Sequence, residues 1–154
     1  MPGRRQAILL FLARLWLGGL FAFSGWLKAI EPYENFRGVL AQYGMIPSVA
    51  APLIAQVFPW LELGTGVFLI AGYALPISSL SAAGLSGVFF LLIGSSKIFG
   101  IALPAECGCF GAGLHFSPSQ MLGVDAVSVT LALLIFFRHE SFLSLDGFLT
   151  KKGK

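Results

Sequence analysis

Apolar residues occur along the chain in four long runs that are separated by shorter polar connectors. The runs cover residues 7–30, 49–73, 77–99 and 118–137. Each is long enough to supply the roughly 20 helical residues that cross a hydrocarbon core about 30 Å thick. Backbone groups in lipid find hydrogen-bond partners only within protein, so each run is predicted to be a transmembrane helix. The pattern predicts an all-α membrane protein, a four-transmembrane-helix antiparallel bundle.

The first connector, "EPYENFRGVLAQYGMIP", has a helical pattern of its own. Its apolar positions recur at helical spacing and are Phe36, Val39, Leu40 and Tyr43. This pattern predicts a short helix at the membrane interface, either a plain connector or a lid over the mouth of the bundle. Residues 140–154 are predicted to form a loose tail, and residues 1–154 a single integral membrane domain.

The composition agrees with a membrane protein. Hydrophobic residues make up 56% of the chain and charged residues 11%, whereas soluble domains carry about 25% charged residues. The lipid bilayer is therefore the first predicted partner. The net charge is only +3, and no basic patch with interleaved aromatic residues indicates a nucleic-acid partner.

Lysine and arginine residues near the ends of the spans predict the orientation. Six lie on the side of the termini: Arg4, Arg5, Arg138, Lys151, Lys152 and Lys154. Three lie on the other side: Lys28, Arg37 and Lys97. The bias predicts a protein of the bacterial inner membrane with both termini on the cytoplasmic side. The loop between the third and fourth spans is then extracytoplasmic, where disulfides can persist.

That loop contains both cysteines of the chain, Cys107 and Cys109, on either side of Gly108. Two thiols do not complete a four-ligand zinc site. Glu106 and His115 lie near them, but the spacing matches no metal-site pattern, and no metal is predicted. A disulfide across this spacing would close a small strained ring, and strained, exposed disulfides are the labile ones. The spacing favours a redox pair, and two inert thiols remain the alternative.

Ionisable residues inside predicted spans are candidates for function. They are Arg14, Lys28, Glu62, Lys97 and Asp125. Depth counted from the predicted membrane edges pairs Arg14 with Glu62, and Asp125 with Lys97 or Lys28. The second group is predicted to lie beneath the cysteine loop, where an ammonium group would lower the pKa of a thiol. Registration of the bundle is the alternative role for these pairs.

Three segments resemble the DoxX-like and MauE group of small four-helix membrane proteins. They are "RLWLGGLFAFSGWLKAIEP", "PWLELGTGVFLIAG" and, for the MauE branch, "ECGCFG". In the first two segments the resemblance includes Arg14, Lys28 and Glu62. The fourth span departs from the group's pattern, because Asp125 has no adjacent arginine.

The resemblance implies thiol–disulfide chemistry, either forming disulfides or delivering reducing equivalents during maturation of methylamine dehydrogenase. A periplasmic thioredoxin-like or client protein is the implied partner. A quinone is a candidate cofactor only by analogy with other four-helix thiol oxidases. The alternative hypothesis is a non-catalytic subunit that anchors or assembles a larger oxidoreductase complex, as in the DoxX branch. Small residues spaced four apart in the third span would suit close packing within the chain or in an oligomer.

Overall fold

The structure, a computed structural model, describes residues 4–44, 46–101 and 116–138. Within these ranges it contains five α-helices and no strand. They are α1 (Arg4–Ile30), α2 (Tyr33–Gln42), α3 (Ala51–Ala71), α4 (Leu75–Ile98) and α5 (Pro118–Phe137). All except α2 are long and apolar enough to cross a membrane. The predicted all-α bundle with four membrane-spanning helices and one short helix is confirmed.

The connection between α3 and α4 is a tight turn with left-handed backbone. Gly72 has φ 68° and donates its N–H to the carbonyl of Leu69. Tyr73 donates its N–H to the carbonyl of Phe68 at 3.0 Å, which completes a Schellman motif. Ala74 is also left-handed, with φ 46°. This reversal makes α3 and α4 antiparallel neighbours.

The start of α5 is defined by a capping box. The Ser117 side chain accepts a hydrogen bond from the backbone N–H of Gln120, and the Gln120 side chain accepts one from the backbone N–H of Ser117. Pro118 follows at the first helical position, where its missing N–H costs nothing. The chain therefore enters α5 at a well-defined residue.

The helices pack in two extensive pairs, α1 with α3 and α4 with α5, and smaller contacts join the pairs. One end of the bundle holds α2, the end of α1 and the start of α3, together with the end of α4 and the start of α5. We call it the α2 end. The apolar face predicted for α2 is turned inward, since Phe36, Leu40 and Tyr43 are buried in a core cluster with residues of α3, α4 and α5.

Large apolar side chains remain exposed along all four long helices. Leu53, Ile77, Leu91 and Phe137, for example, are 66%, 70%, 67% and 76% exposed. Water-facing surfaces do not tolerate apolar patches of this extent, whereas lipid does. The exposed surface thus agrees with the length and hydropathy of the spans.

Candidate functional site: a buried charge cluster near the α2 end

Three glycines let the backbones of α1 and α3 approach closely. A Cβ atom built on Gly25 would lie 2.7 Å from the carbonyl oxygen of Pro59, and one on Gly66 would lie 2.6 Å from that of Gly18. A Cβ atom on Gly18 would lie 2.9 Å from the carbonyl oxygen of Gly66. Real Cβ atoms essentially never come within 3.0 Å of such neighbours. The glycines therefore determine how α1 and α3 are aligned.

This alignment places Glu62 of α3 beside Ser24 and Lys28 of α1. Lys28 Nζ lies 2.7 Å from Glu62 Oε2 and 2.9 Å from Oε1, and donates to both. Ser24 Oγ donates to Glu62 Oε2 at 3.2 Å and accepts from Lys28 Nζ at 3.1 Å. The side chains of Lys28 and Glu62 are 1% and 5% exposed. The result is a buried ion pair whose carboxylate accepts three hydrogen bonds.

Three aromatic rings surround the ammonium group of Lys28. Its Nζ lies 5.0 Å from the ring centroid of Phe36, 5.4 Å from that of Phe89 and 5.7 Å from that of Phe58. The rings come from α2, α3 and α4, and those of Phe58 and Phe89 pack edge to face at 5.2 Å. Ring faces attract cations, most strongly where water is excluded. Lys28 thereby links α1 to three other helices.

Asp125 of α5 lies next to the ion pair and is 5% exposed. It interacts electrostatically with both Lys28 and Glu62. Within the described part of the chain, its Oδ2 atom has no hydrogen-bond partner. We call Lys28, Glu62 and Asp125, with Ser24, the buried charge cluster.

A cavity of about 20 Å³ lies beside Ser24, Glu62 and Asp125 of the cluster. Its polar lining comes from Ser24, Glu62, Ser86 and Asp125, and its apolar lining includes Phe89. A cavity of this size holds about one water molecule, and a water needs two to four polar partners. The four polar residues of the lining can supply these partners.

Tyr43, which follows α2 directly, is fully buried near this cluster. Burial raises the pKa of its phenol to about 12, and a negative charge on Asp125 acts in the same direction. Together with Phe36 and Leu40, it belongs to the buried core cluster at the α2 end.

The predicted pairing of Glu62 with Arg14 was wrong, because the ion-pair partner of Glu62 is Lys28. Glu62 is level with Ser24, so Arg14 lies ten residues away along α1, about 15 Å of helix. That is beyond the reach of an arginine side chain. The pairing was predicted from depth counted along each helix from its own predicted membrane edge. The close glycine contacts instead determine which residues of α1 and α3 lie level with each other. Arg14 is buried in the other half of the bundle, with its guanidinium carbon 5.0 Å from the ring of Phe11.

Lys97 and Lys28 were the two cations predicted for Asp125, and they occupy different environments. Lys28 belongs to the buried charge cluster. Lys97 lies in the last turn of α4, is exposed, and donates to Ser119 Oγ at 2.7 Å. It therefore joins the end of α4 to the start of α5, on either side of the cysteine loop.

Cys107 and Cys109 lie outside the described residues, as do their neighbours Glu106 and His115. The structure describes the chain on both sides, up to Ile101 and again from Phe116. Within the described residues, no group of three or more His, Cys, Asp or Glu side chains could hold a metal ion.

Sequence reasoning missed the aromatic cage and the role of Ser24. Ser24 precedes Lys28 by four residues, so the two share a helix face, and this spacing was visible in the sequence. Phe36 was predicted only as part of the apolar face of the short interfacial helix. That Phe36, Phe58 and Phe89 meet around one ammonium group depends on how three helices pack, which spacing within one helix does not reveal.

Comparison with known families identifies the chain. Residues 6–138 match the model of the family described as methylamine utilisation protein MauE. The chain belongs to the MauE family. With its four apolar helices, it is a multi-pass membrane protein.

Three curated MauE-family relatives are similar to it, each described as a methylamine utilization protein MauE. The Paracoccus denitrificans protein is 29% identical over 131 residues, which cover 84% of this chain and 69% of the relative. The Paracoccus versutus protein is 30% identical over 130 residues, with the same coverage. The Methylorubrum extorquens protein is 36% identical over 106 residues, covering 67% of this chain and 55% of the relative. No solved structure matches the chain.

Proposed function

We propose that this MauE-family protein is a membrane thiol–disulfide redox or maturation factor in methylamine utilisation. The process is taken from the names of its relatives. One observation carries the chemistry: the chain has two cysteines, Cys107 and Cys109, and they flank a single glycine between two membrane spans. A bridge across that spacing would be strained, and strained, accessible disulfides exchange readily.

The surroundings of the cysteine loop support thiol exchange. The loop joins α4 to α5 at the α2 end, where Lys97 is exposed. A nearby ammonium group stabilises a thiolate, which is the reactive form of cysteine. Lys97 is therefore the better candidate for activating a thiol, since Lys28 is buried and bound to Glu62. We assign Lys28, Glu62 and Asp125 to positioning α2 and the helix ends beneath the loop, and no role to Arg14.

A quinone does not fit inside the buried charge cluster. The cavity of about 20 Å³ that Asp125 and Glu62 line is far too small for a quinone ring. With only two cysteines, a periplasmic thioredoxin-like or client protein would supply the second dithiol. In this proposal both termini are cytoplasmic and the cysteine loop is extracytoplasmic.

A non-catalytic subunit that anchors or assembles a larger complex is the second candidate. Two observations favour it: the ion pair is fully buried, and the close glycine contacts serve helix packing. Neither feature requires chemistry at the loop. In this case the cysteines would be dispensable and the bundle itself would bind the partner.

Trapping of mixed disulfides separates the two candidates. Membranes with Cys107→Ala or Cys109→Ala should each retain one reactive thiol, and one variant should accumulate a reducible cross-link to a protein whose thiols the pair normally exchanges. The control is Cys107→Ala/Cys109→Ala/Ala112→Cys, which places a lone thiol elsewhere in the same loop and should trap far less. If neither variant traps a partner, and the double replacement leaves methylamine dehydrogenase maturation unchanged, the redox proposal fails.

A further inference from the structure

The ionisable groups of the buried charge cluster do not balance one another. Lys28 contributes one positive charge, and Glu62 and Asp125 can contribute two negative charges. All three side chains are almost fully buried in a bundle with an apolar surface. An uncompensated charge in such a place is strongly unfavourable. The cluster therefore requires one further positive charge, from a proton or from a bound cation.

Hydrogen bonds show which carboxyl group lacks compensation. Glu62 accepts two bonds from Lys28 and one from Ser24, as expected of an ionised carboxylate. Oδ2 of Asp125 has no partner within the described residues, and the residue lines the cavity. A buried carboxylate oxygen without a donor is unfavourable. A protonated oxygen could instead donate to a water in the cavity.

We propose that Asp125 is a proton-binding site of the protein. Its carboxyl group carries one exchangeable proton at neutral pH, and a water in the cavity connects it to Glu62. Any change in the charge of the Lys28–Glu62 pair then changes the proton occupancy of Asp125. The cluster becomes a proton-linked contact among α1, α3 and α5. This inference is independent of the proposed function of the cysteines.

The surroundings of Asp125 favour a proton over a metal cation. Among the described residues, the titratable groups that face it are Lys28 from α1, Glu62 from α3 and Tyr43 after α2. From α4, the cavity lining includes Ser86 and Phe89, which do not titrate. A hard cation takes about six oxygen ligands. Both Glu62 oxygens and Ser24 Oγ are already engaged in hydrogen bonds with Lys28 and with each other, so too few oxygens are left for such a cation.

Infrared difference spectroscopy of the purified protein in lipid nanodiscs tests the proposal. The wild type at neutral pH should show the carbonyl band of a protonated carboxylic acid, and this band should shift in heavy water. It should disappear when the pH is raised and in Asp125→Asn. Glu34→Gln is the matched control, because Glu34 is an exposed carboxylate on α2, and this variant should keep the band.

Glu62→Gln gives a second test that leaves Asp125 in place. Without the Glu62 charge, Lys28 and ionised Asp125 balance each other, so the band should fall to near zero. This variant also decides the matter if Asp125→Asn does not fold. The proposal is overturned if the wild type lacks the band, if either variant keeps it at full intensity, or if replacing sodium with choline shifts its titration. A sodium effect would identify the ligand as a metal cation.

Discussion

At the residue scale, the contacts of Lys28 account for a charge inside a membrane span. Removing an ion from water costs several kcal/mol, which the partner must offset. Lys28 finds one carboxylate, one hydroxyl and three ring faces. Glu62 in turn accepts two hydrogen bonds from Lys28 and one from Ser24. Loss of Lys28 alone should therefore destabilise the protein more than loss of Lys28 and Glu62 together.

Replacing Lys28 with Met should destabilise the protein by about 3 kcal/mol or more, because it leaves two buried carboxyl groups without their cation. The double variant Lys28→Met/Glu62→Leu should recover part of that loss, since it removes a buried charge as well. Lys97→Met is the control, with an expected effect below about 1 kcal/mol for an exposed amine. Unfolding in mixed micelles measures all three. A double variant no more stable than Lys28→Met would contradict this interpretation of the pair.

Tyr43 predicts how stability responds to alkaline pH. Its pKa of about 12 in the folded protein exceeds the value near 10 of an exposed tyrosine. The folded state therefore keeps the phenol proton longer than the unfolded state. The stabilisation is fully present below about pH 10 and is lost as the pH rises toward about 12. In Tyr43→Phe this part of the decline should vanish. The measurement is the unfolding midpoint as a function of pH between about 10 and 12. The prediction is wrong if the midpoint falls with pH equally steeply in the wild type and in Tyr43→Phe.

The sequence identified the charged residues of the site and offered Lys28 as a neighbour of Asp125, but it missed the pairing of Glu62 with Lys28. Arg14, Lys28, Glu62 and Asp125 stood out because they interrupt apolar runs. Pairing depends on the alignment of one helix against another, and depth counted from assumed membrane edges carries errors of a full turn or more. The aromatic cage around Lys28 depends on the same tertiary packing. Neither follows from periodicity within a single helix.

At the scale of elements, the contact between α1 and α3 depends on a few glycines. Gly18, Gly25 and Gly66 have no room for a Cβ atom, whereas Gly19 and Gly64 on the same two helices have no neighbour within 4 Å of one. Close backbone approach of this kind is a general mode of helix association in membranes. It sets the alignment that brings Glu62 to Lys28. The short helix α2 was predictable because its apolar spacing is local.

Gly66→Ala should separate α1 from α3 and cost about 1–3 kcal/mol, as overpacking does in tight cores. Gly64→Ala is the matched control on the same helix and should be neutral or stabilising by up to about 1 kcal/mol, from helix propensity. Thermal unfolding compares the two. Equal stability of both variants would show that the glycine contacts do not hold the helices together.

At the scale of the whole molecule, the positions of the spans place the cysteine loop at the same end as α2. The even number of spans and the distribution of lysine and arginine predict that this end is extracytoplasmic. The hydrophobic pattern alone was sufficient for the architecture, because a membrane protein must expose apolar residues on every span. Which aqueous phase the α2 end faces depends on insertion and is a separate prediction.

A membrane-impermeant maleimide tests this orientation in cells whose outer membrane is permeabilised and whose inner membrane is intact. Cys107 in the Cys109→Ala variant should react without breaking the inner membrane. A cysteine-free protein carrying Tyr73→Cys, at the exposed turn between α3 and α4, should react only after the inner membrane is opened. The reverse labelling pattern would show that the protein has the opposite orientation in the membrane.

The central claim is that Cys107 and Cys109 form a redox-active pair. It is tested most directly by equilibrating the purified protein in glutathione buffers of graded potential and determining its thiols by alkylation and intact-mass measurement. We expect a reversible change between the dithiol and an intramolecular disulfide, with a potential above the roughly −300 mV limit of structural disulfides. Two thiols that stay fully alkylatable in the most oxidising buffer would contradict it, as would a disulfide that forms only between chains.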